Sequence, residues 1–190
     1  MPNWCNNSLT LRFPTKEEAK EFNQHVDRVE SESKIQDEHN NDLTILGYFV
    51  PEPDYNHQEQ GWYWWRVENW GTKWDINLYE RHFVDDYTVF LGFDTAWSPP
   101  IETYGAMTDQ GVYVEASYYE PGMCFVGTWV GGDDDFYNYA EIEDPQEIRD
   151  YIGSDLDDEW NISEWMREYI EEENANHIDS DSGVENFGRN

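Results

Sequence analysis

The stretch Ser8-Leu9-Thr10-Leu11-Arg12-Phe13-Pro14-Thr15-Lys16-Glu17-Glu18 decides the fold class. Leu9, Leu11 and Phe13 alternate with polar residues, which is the period of a strand with one buried face. Thr15 and Glu18 then stand at capping-box spacing, the hydroxyl facing the first helical turn and the carboxylate reaching back. The spacing predicts a helix to about Val29, with Ala19, Phe22, Val26 and Val29 as its inner stripe.

Outward from this unit, Glu30 to Asp42 is polar and reads as a loop, and Leu43 to Val50 as a short strand ended by Pro51 and Pro53. Asp54 to Gln60 reads as loop. The aromatic run Gly61 to Trp70 is read as a short helix, with an extended segment as the alternative. Asp75–Arg81 and Tyr87–Thr95 read as strands joined at Asp85-Asp86. Ser98-Pro99-Pro100 reads as a helix start, with Ser98 as N-cap and Pro99 in the first turn, where its missing N–H costs nothing. Val112–Tyr119 and Met123–Val130 form a hairpin around Glu120-Pro121-Gly122, and Phe136–Ile142 adds an edge strand. Asp144-Pro145 opens a helix stopped by Gly153, and the last helix spans Asn161–Glu173 with Trp165, Met166, Tyr169 and Ile170 as its apolar side. Asn174 to Asn190 has no apolar period and reads as a tail.

The order predicts an α+β fold: a ferredoxin-like antiparallel sheet with helices on one face and an acidic C-terminal helical extension. Residues 1–142 form the ferredoxin-like domain, with an inserted segment at about 31–74, and residues 143–190 the acidic extension and tail.

Charge narrows the function classes. The 190 residues carry 42 acidic against 11 basic side chains, a net charge of -31. Such a chain repels nucleic-acid phosphates and anionic membranes, so direct nucleic-acid binding and membrane association are not expected. It attracts basic protein surfaces. From Asp133 onward there are 20 acidic residues, 3 Arg and no Lys. Acidic, lysine-poor surfaces also occur in proteins of saline environments, so charge indicates a class of partner at most. Two cysteines, Cys5 and Cys124, are too few for a disulfide scaffold and suit free thiols in a reducing cytoplasm, with a single bridge between them as the alternative. No apolar run has the length of a membrane span.

Four segments resemble a known family: Met1-Pro-Asn-Trp-Cys-x-Asn7, Trp65 through Asn69-Trp-Gly-Thr-Lys-Trp-Asp75, Phe93-x-Thr95-Ala-Trp-Ser-Pro-Pro100, and Tyr118-x-Glu-Pro-Gly-x-x-Phe125-x-Gly127. Together they resemble the YubB-like proteins of phages, plasmids and genomic islands. The resemblance covers residues up to about 130 and implies a ferredoxin-like domain of mobile-element origin, with no activity attached. The acidic stretch beyond lies outside it.

No sequence motif assigns a reaction, a cofactor or a catalytic residue. His25, His39, His57, His82 and His177 lack ligand spacing, and Asp133-Asp134-Asp135 lacks the alternation of a calcium loop. The first expectation is a cytoplasmic, non-enzymatic phage protein that engages a basic host protein. A nucleic-acid-binding surface is the favoured target, with carboxylates standing in for phosphates as in a counter-defence inhibitor. Asp155, Asp157, Asp158, Glu159, Glu164, Glu168, Glu171, Glu172 and Glu173 are its candidate partner-binding residues. The second expectation is a small-molecule- or nucleotide-binding protein, or an enzyme, that uses a cleft lined by Asn3, Trp4, Trp70, Lys73, Asp75, Thr95, Trp97 and Glu120. Lys73 there receives an anionic or planar ligand, or else pairs with a core carboxylate at a structural junction. A third is a virion or assembly component.

Overall fold

The computed structural model describes residues 3–32, 43–53 and 61–182, the side chains of Glu32 and of 176–182 excepted. The chain divides into two compact units, Met1–Asn138 and Tyr139–Asn190.

The first unit begins as its sequence periods require. Strand β1 (Trp4–Arg12) buries Cys5, Asn7, Leu9 and Leu11 on alternate positions, and helix α1 (Lys16–Glu32) follows. The capping box is closed in both directions: Glu18 N–H donates to Thr15 Oγ1 at 3.2 Å, and Thr15 N–H to Glu18 Oε2 at 3.1 Å. Ala19, Phe22, Val26 and Val29 are buried. Phe22 meets Phe13, Tyr48 and Phe49 with ring centroids 5.3–5.4 Å apart. Truncating a ring so placed to alanine costs about 3–5 kcal/mol.

Leu43–Val50 is not a strand. Its centre, Leu46–Tyr48, is a single 3-10 turn. The Asp75 carboxylate accepts the N–H groups of Ile45 (2.7 Å) and Leu46 (3.0 Å), and Thr44 Oγ1 accepts that of Gly47 (3.1 Å). Side chains therefore satisfy the donors that a sheet ladder would have taken. Of the expected loop Glu30–Asp42, Glu30 to Glu32 continue α1, while 33–42, like the expected loop 54–60, lie outside the described residues.

Helix α2 (Gly61–Trp70) confirms the helical reading of the aromatic run. Strands β2 (Asn77–Phe83) and β3 (Thr88–Ala96), helix α3 (Ile101–Asp109), and strands β4 (Tyr113–Glu120), β5 (Phe125–Val130) and β6 (Asp133–Asn138) complete the unit. The six strands form one antiparallel sheet in the order β2-β3-β1-β4-β5-β6. Residues from α1, α3 and the 45–49 turn share a core with Leu9, Leu11, Val89, Leu91, Phe93 and Val114. Strand β6 starts three residues earlier than Phe136, because Gly131 (φ 59°) and Gly132 (φ 112°) make a two-residue turn that returns the chain at once.

In the second unit, helix α4 (Pro145–Ile152) is capped by Asp144, whose Oδ1 accepts Gln146 N–H at 2.8 Å and Glu147 N–H at 3.0 Å. Gly153 (φ 89°) ends it, as expected. Helix α5 (Ser154–Trp160) was not expected and stops at Asn161 in the left-handed conformation. Helix α6 (Ile162–Ser182) runs well past Glu173, into the stretch expected to be a tail. Its expected apolar side is covered only in part: Met166 and Ile170 are half-buried, while Trp165 and Tyr169 are exposed. Among the described residues no helix is long and apolar enough to cross a membrane.

Candidate functional site

Most of the residues expected to line a cleft gather at one end of the sheet, where β1 begins and β3 and β4 end. Several of them are structural. Trp70 is fully buried, and its Nε1 donates to Val50 O at 2.8 Å. Arg66 lies 4.7 Å over the Trp70 ring and forks onto Glu52, with Nη2 at 2.6 Å and Nε at 3.0 Å. Thr95 is buried, taking Asn7 Nδ2 at 2.9 Å and donating to Ser98 O at 2.8 Å. Glu120 belongs to the turn itself. It is 1% exposed, and it accepts the N–H groups of Gly122, at 3.0 Å, and Met123, closing the turn from inside. Asp75 anchors the 45–46 backbone instead of facing Lys73. Burial pushes its carboxyl above the ordinary range, against the opposing pull of the Leu46, Ile45 and Ile76 N–H groups.

Ser98 does not cap α3. Its hydroxyl donates to Gly71 O at 2.6 Å, and the N-cap position is Pro100. This bond latches the 70–75 loop to the 96–101 loop, and Thr72 Oγ1 to Ala96 O (3.2 Å) adds a second tie. Gly71 (φ 83°) sits where a Cβ would come within 2.9 Å of Ile101 N.

What remains at the surface is an aromatic cluster around one cation. Lys73 Nζ lies 4.4 Å from the Trp74 ring centroid, 5.1 Å from Trp97 and 5.7 Å from Tyr63. Trp4 adjoins Trp74 at 6.2 Å. Asn3 is exposed, and its carbonyl accepts Trp97 N–H at 2.9 Å. Trp97 carries φ 71°, a conformation that bulky side chains rarely adopt. Among the described residues Lys73 makes no ion pair, so the expected pairing with a core carboxylate is not formed.

A comparison with known families, curated proteins and solved structures found no match.

The acidic candidates separate by environment. Asp157 is not available to a partner: it is 2% exposed and accepts Ser163 N–H and Ser163 Oγ–H, each at 2.7 Å, together with Arg149. Asp158 pairs with the same guanidinium at 2.6 Å. Asp155 and Glu159 are exposed on α5. On α6, Glu164, Glu168, Glu171 and Glu172 are exposed, and at 100° per residue they fall within about 100° of arc. Arg167 pairs with Glu164 at one margin of that stripe, and exposed Trp165 and Tyr169 flank the other. Glu173 points away from the stripe and accepts the Tyr169 hydroxyl at 2.8 Å.

His25 is buried against Thr44 O at 2.8 Å, and His82 stacks on Phe90. His39, His57 and the His177 side chain lie outside the described residues. No group of three metal-ligating side chains occurs among those described. Cys5 and Cys124 are both free thiols.

Proposed function

We propose that the chain is a non-enzymatic binding protein of a phage or similar mobile element, acting in the host cytoplasm on a basic, nucleic-acid-binding host protein. The observation that carries this reading is the α6 stripe. Glu164, Glu168, Glu171 and Glu172 lie exposed on one helix face, with two exposed aromatic side chains along its edge. Successive carboxylates are spaced by the helix, about 6 Å of axial rise for four residues. A rigid row of like charges presents an ordered counterpart to arginine or lysine side chains, and Trp165 and Tyr169 add ring faces that a guanidinium can cover.

Two further parts of this reading have their own support. The ferredoxin-like assignment is supported by the order β1-α1-β2-β3-α3-β4 and by the sheet order β2-β3-β1-β4, to which β5 and β6 are additions. Kinship with the YubB-like proteins is supported by the four quoted motifs.

The test compares two sets of four charge-neutralising substitutions. One set is Glu164→Gln, Glu168→Gln, Glu171→Gln and Glu172→Gln. The control set removes exposed acids of the first unit: Glu17→Gln, Glu21→Gln, Asp109→Asn and Glu115→Gln. Affinity for an arginine-rich peptide, and release of DNA from a basic DNA-binding protein, are measured across a salt series. The α6 set is expected to weaken binding by about tenfold or more and flatten the salt dependence, with little effect from the control set. Equal losses from both sets would reduce the effect to net charge and defeat the proposal.

A further inference from the structure

The surface around Lys73 is fixed by the fold independently of α6. Its two loops are latched by Ser98 to Gly71 and Thr72 to Ala96, and Trp97 is pinned to Asn3. Within this rigid frame the chain exposes indoles that it could have buried: Trp4 is 42% and Trp97 44% exposed. Trp97 is held open in a backbone conformation that disfavours its side chain. Strain and exposed aromatic area at one position serve packing poorly, whereas rigid exposed aromatics are the usual anchors of recognition.

The cation at the centre narrows the chemistry. In a chain with 42 acidic residues, Lys73 makes no ion pair among the described residues and rests on three ring faces. An ammonium has three N–H donors, and ring faces satisfy them only weakly. No carboxylate among the described residues takes its charge, which an incoming acceptor can meet, and Trp4 and Trp97 offer flat area beside it.

We propose that this surface binds a small planar aromatic ring bearing a single negative charge, an aromatic carboxylate. The carboxylate takes the Lys73 ammonium and the ring lies against the exposed indoles of Trp97 and Trp4. A net charge of -31 disfavours doubly charged phosphate esters at the same place.

Calorimetry and saturation-transfer NMR on the full chain, at neutral pH and low salt, test this with indole-3-acetate against its uncharged amide. The acid is expected to bind about tenfold more tightly than the amide, the worth of one charge-assisted hydrogen bond. Lys73→Met should abolish that preference while leaving weak binding of the ring, and Lys73→Arg should retain it. Trp97→Gly, which also relieves the backbone, should weaken both ligands without loss of fold by circular dichroism. A nucleoside monophosphate should bind less well than the acetate. The proposal is overturned if the amide binds as tightly as the acid, or if Lys73→Met keeps the preference. It is equally overturned if the nucleotide binds best, or if nothing binds up to the solubility limit; the ring contacts of Lys73 would then be purely structural.

Discussion

Replacing Asp157 with alanine asks whether the second unit is held by a buried carboxylate as much as by its buried apolar side chains Ile148, Ile152, Leu156 and Ile162. The carboxylate joins α5 to the start of α6 through both polar groups of Ser163, at 2.7 Å each, and Ser163 is itself buried. Alanine strands a buried N–H and a buried hydroxyl, each costing about 1–3 kcal/mol, so a loss of about 3 kcal/mol is expected. The dependence on pH follows from the charge. Burial alone would raise this carboxyl. The Ser163 hydroxyl and N–H and the Arg149 guanidinium outweigh burial and hold it below the ordinary value of 3.8. A folded pKa below the unfolded one gives stability that is complete above the unfolded value and is lost as pH falls through the folded one. The wild-type advantage over Asp157→Ala should therefore persist from neutral pH down to about pH 5 and shrink in acid. Asp157→Asn keeps an acceptor without charge and should show a smaller loss with little acid dependence. Urea titration followed by hydrogen exchange at α4–α6 amides is the assay, since only two of the ten Trp, Trp160 and Trp165, belong to this unit. A difference below about 1 kcal/mol at neutral pH, or one that stays constant into strong acid, would refute the reasoning.

Gly71→Ala should destabilise the first unit by about 2 kcal/mol or more in denaturant titration, because the added Cβ meets backbone rather than a movable side chain and φ is positive. Burial pushes the Cys5 thiol up to about 12, so a thiol-exchange reagent at mildly alkaline pH should modify Cys124 alone in the folded protein and both cysteines in urea. Arg66→Lys should cost about 1–2 kcal/mol by the same titration, since lysine cannot reproduce the fork onto Glu52 or the stacking on Trp70.

Elements set by neighbours in sequence were legible in advance. The alternation in β1, the Thr15–Glu18 box, the α1 stripe and the Asp144 cap all close within a few residues. Elements set by distant partners were not. The 43–50 segment has the composition of a strand, but Asp75, 30 residues away, draws its N–H groups into a turn. Ser98 has the position of a cap, yet its partner is Gly71, 27 residues back. The same reason limited the candidate site. A sequence shows that Asp75, Glu120 and Asp157 are acidic but not whether each meets water or backbone N–H, and all three turned inward. Lys73 and Trp97 were already expected in one cleft; the approach of Tyr63 required the fold. Helix α6 outran its expected end because no residue after Glu173 breaks it, although the apolar period that marks a buried face is absent.

The order of the sheet has one more consequence. It leaves β6 as a terminal strand, and β6 opens with Asp133-Asp134-Asp135, all exposed. A terminal strand is a template on which another chain can add by backbone pairing, and aspartate is among the residues least suited to it. At neutral pH an incoming strand would have to draw like charges together along the first half of β6. The Asp triplet, which lacks the alternation of a calcium loop, is by its charge a guard against such pairing. A protein with 32 aromatic residues and a six-stranded sheet has particular use for one.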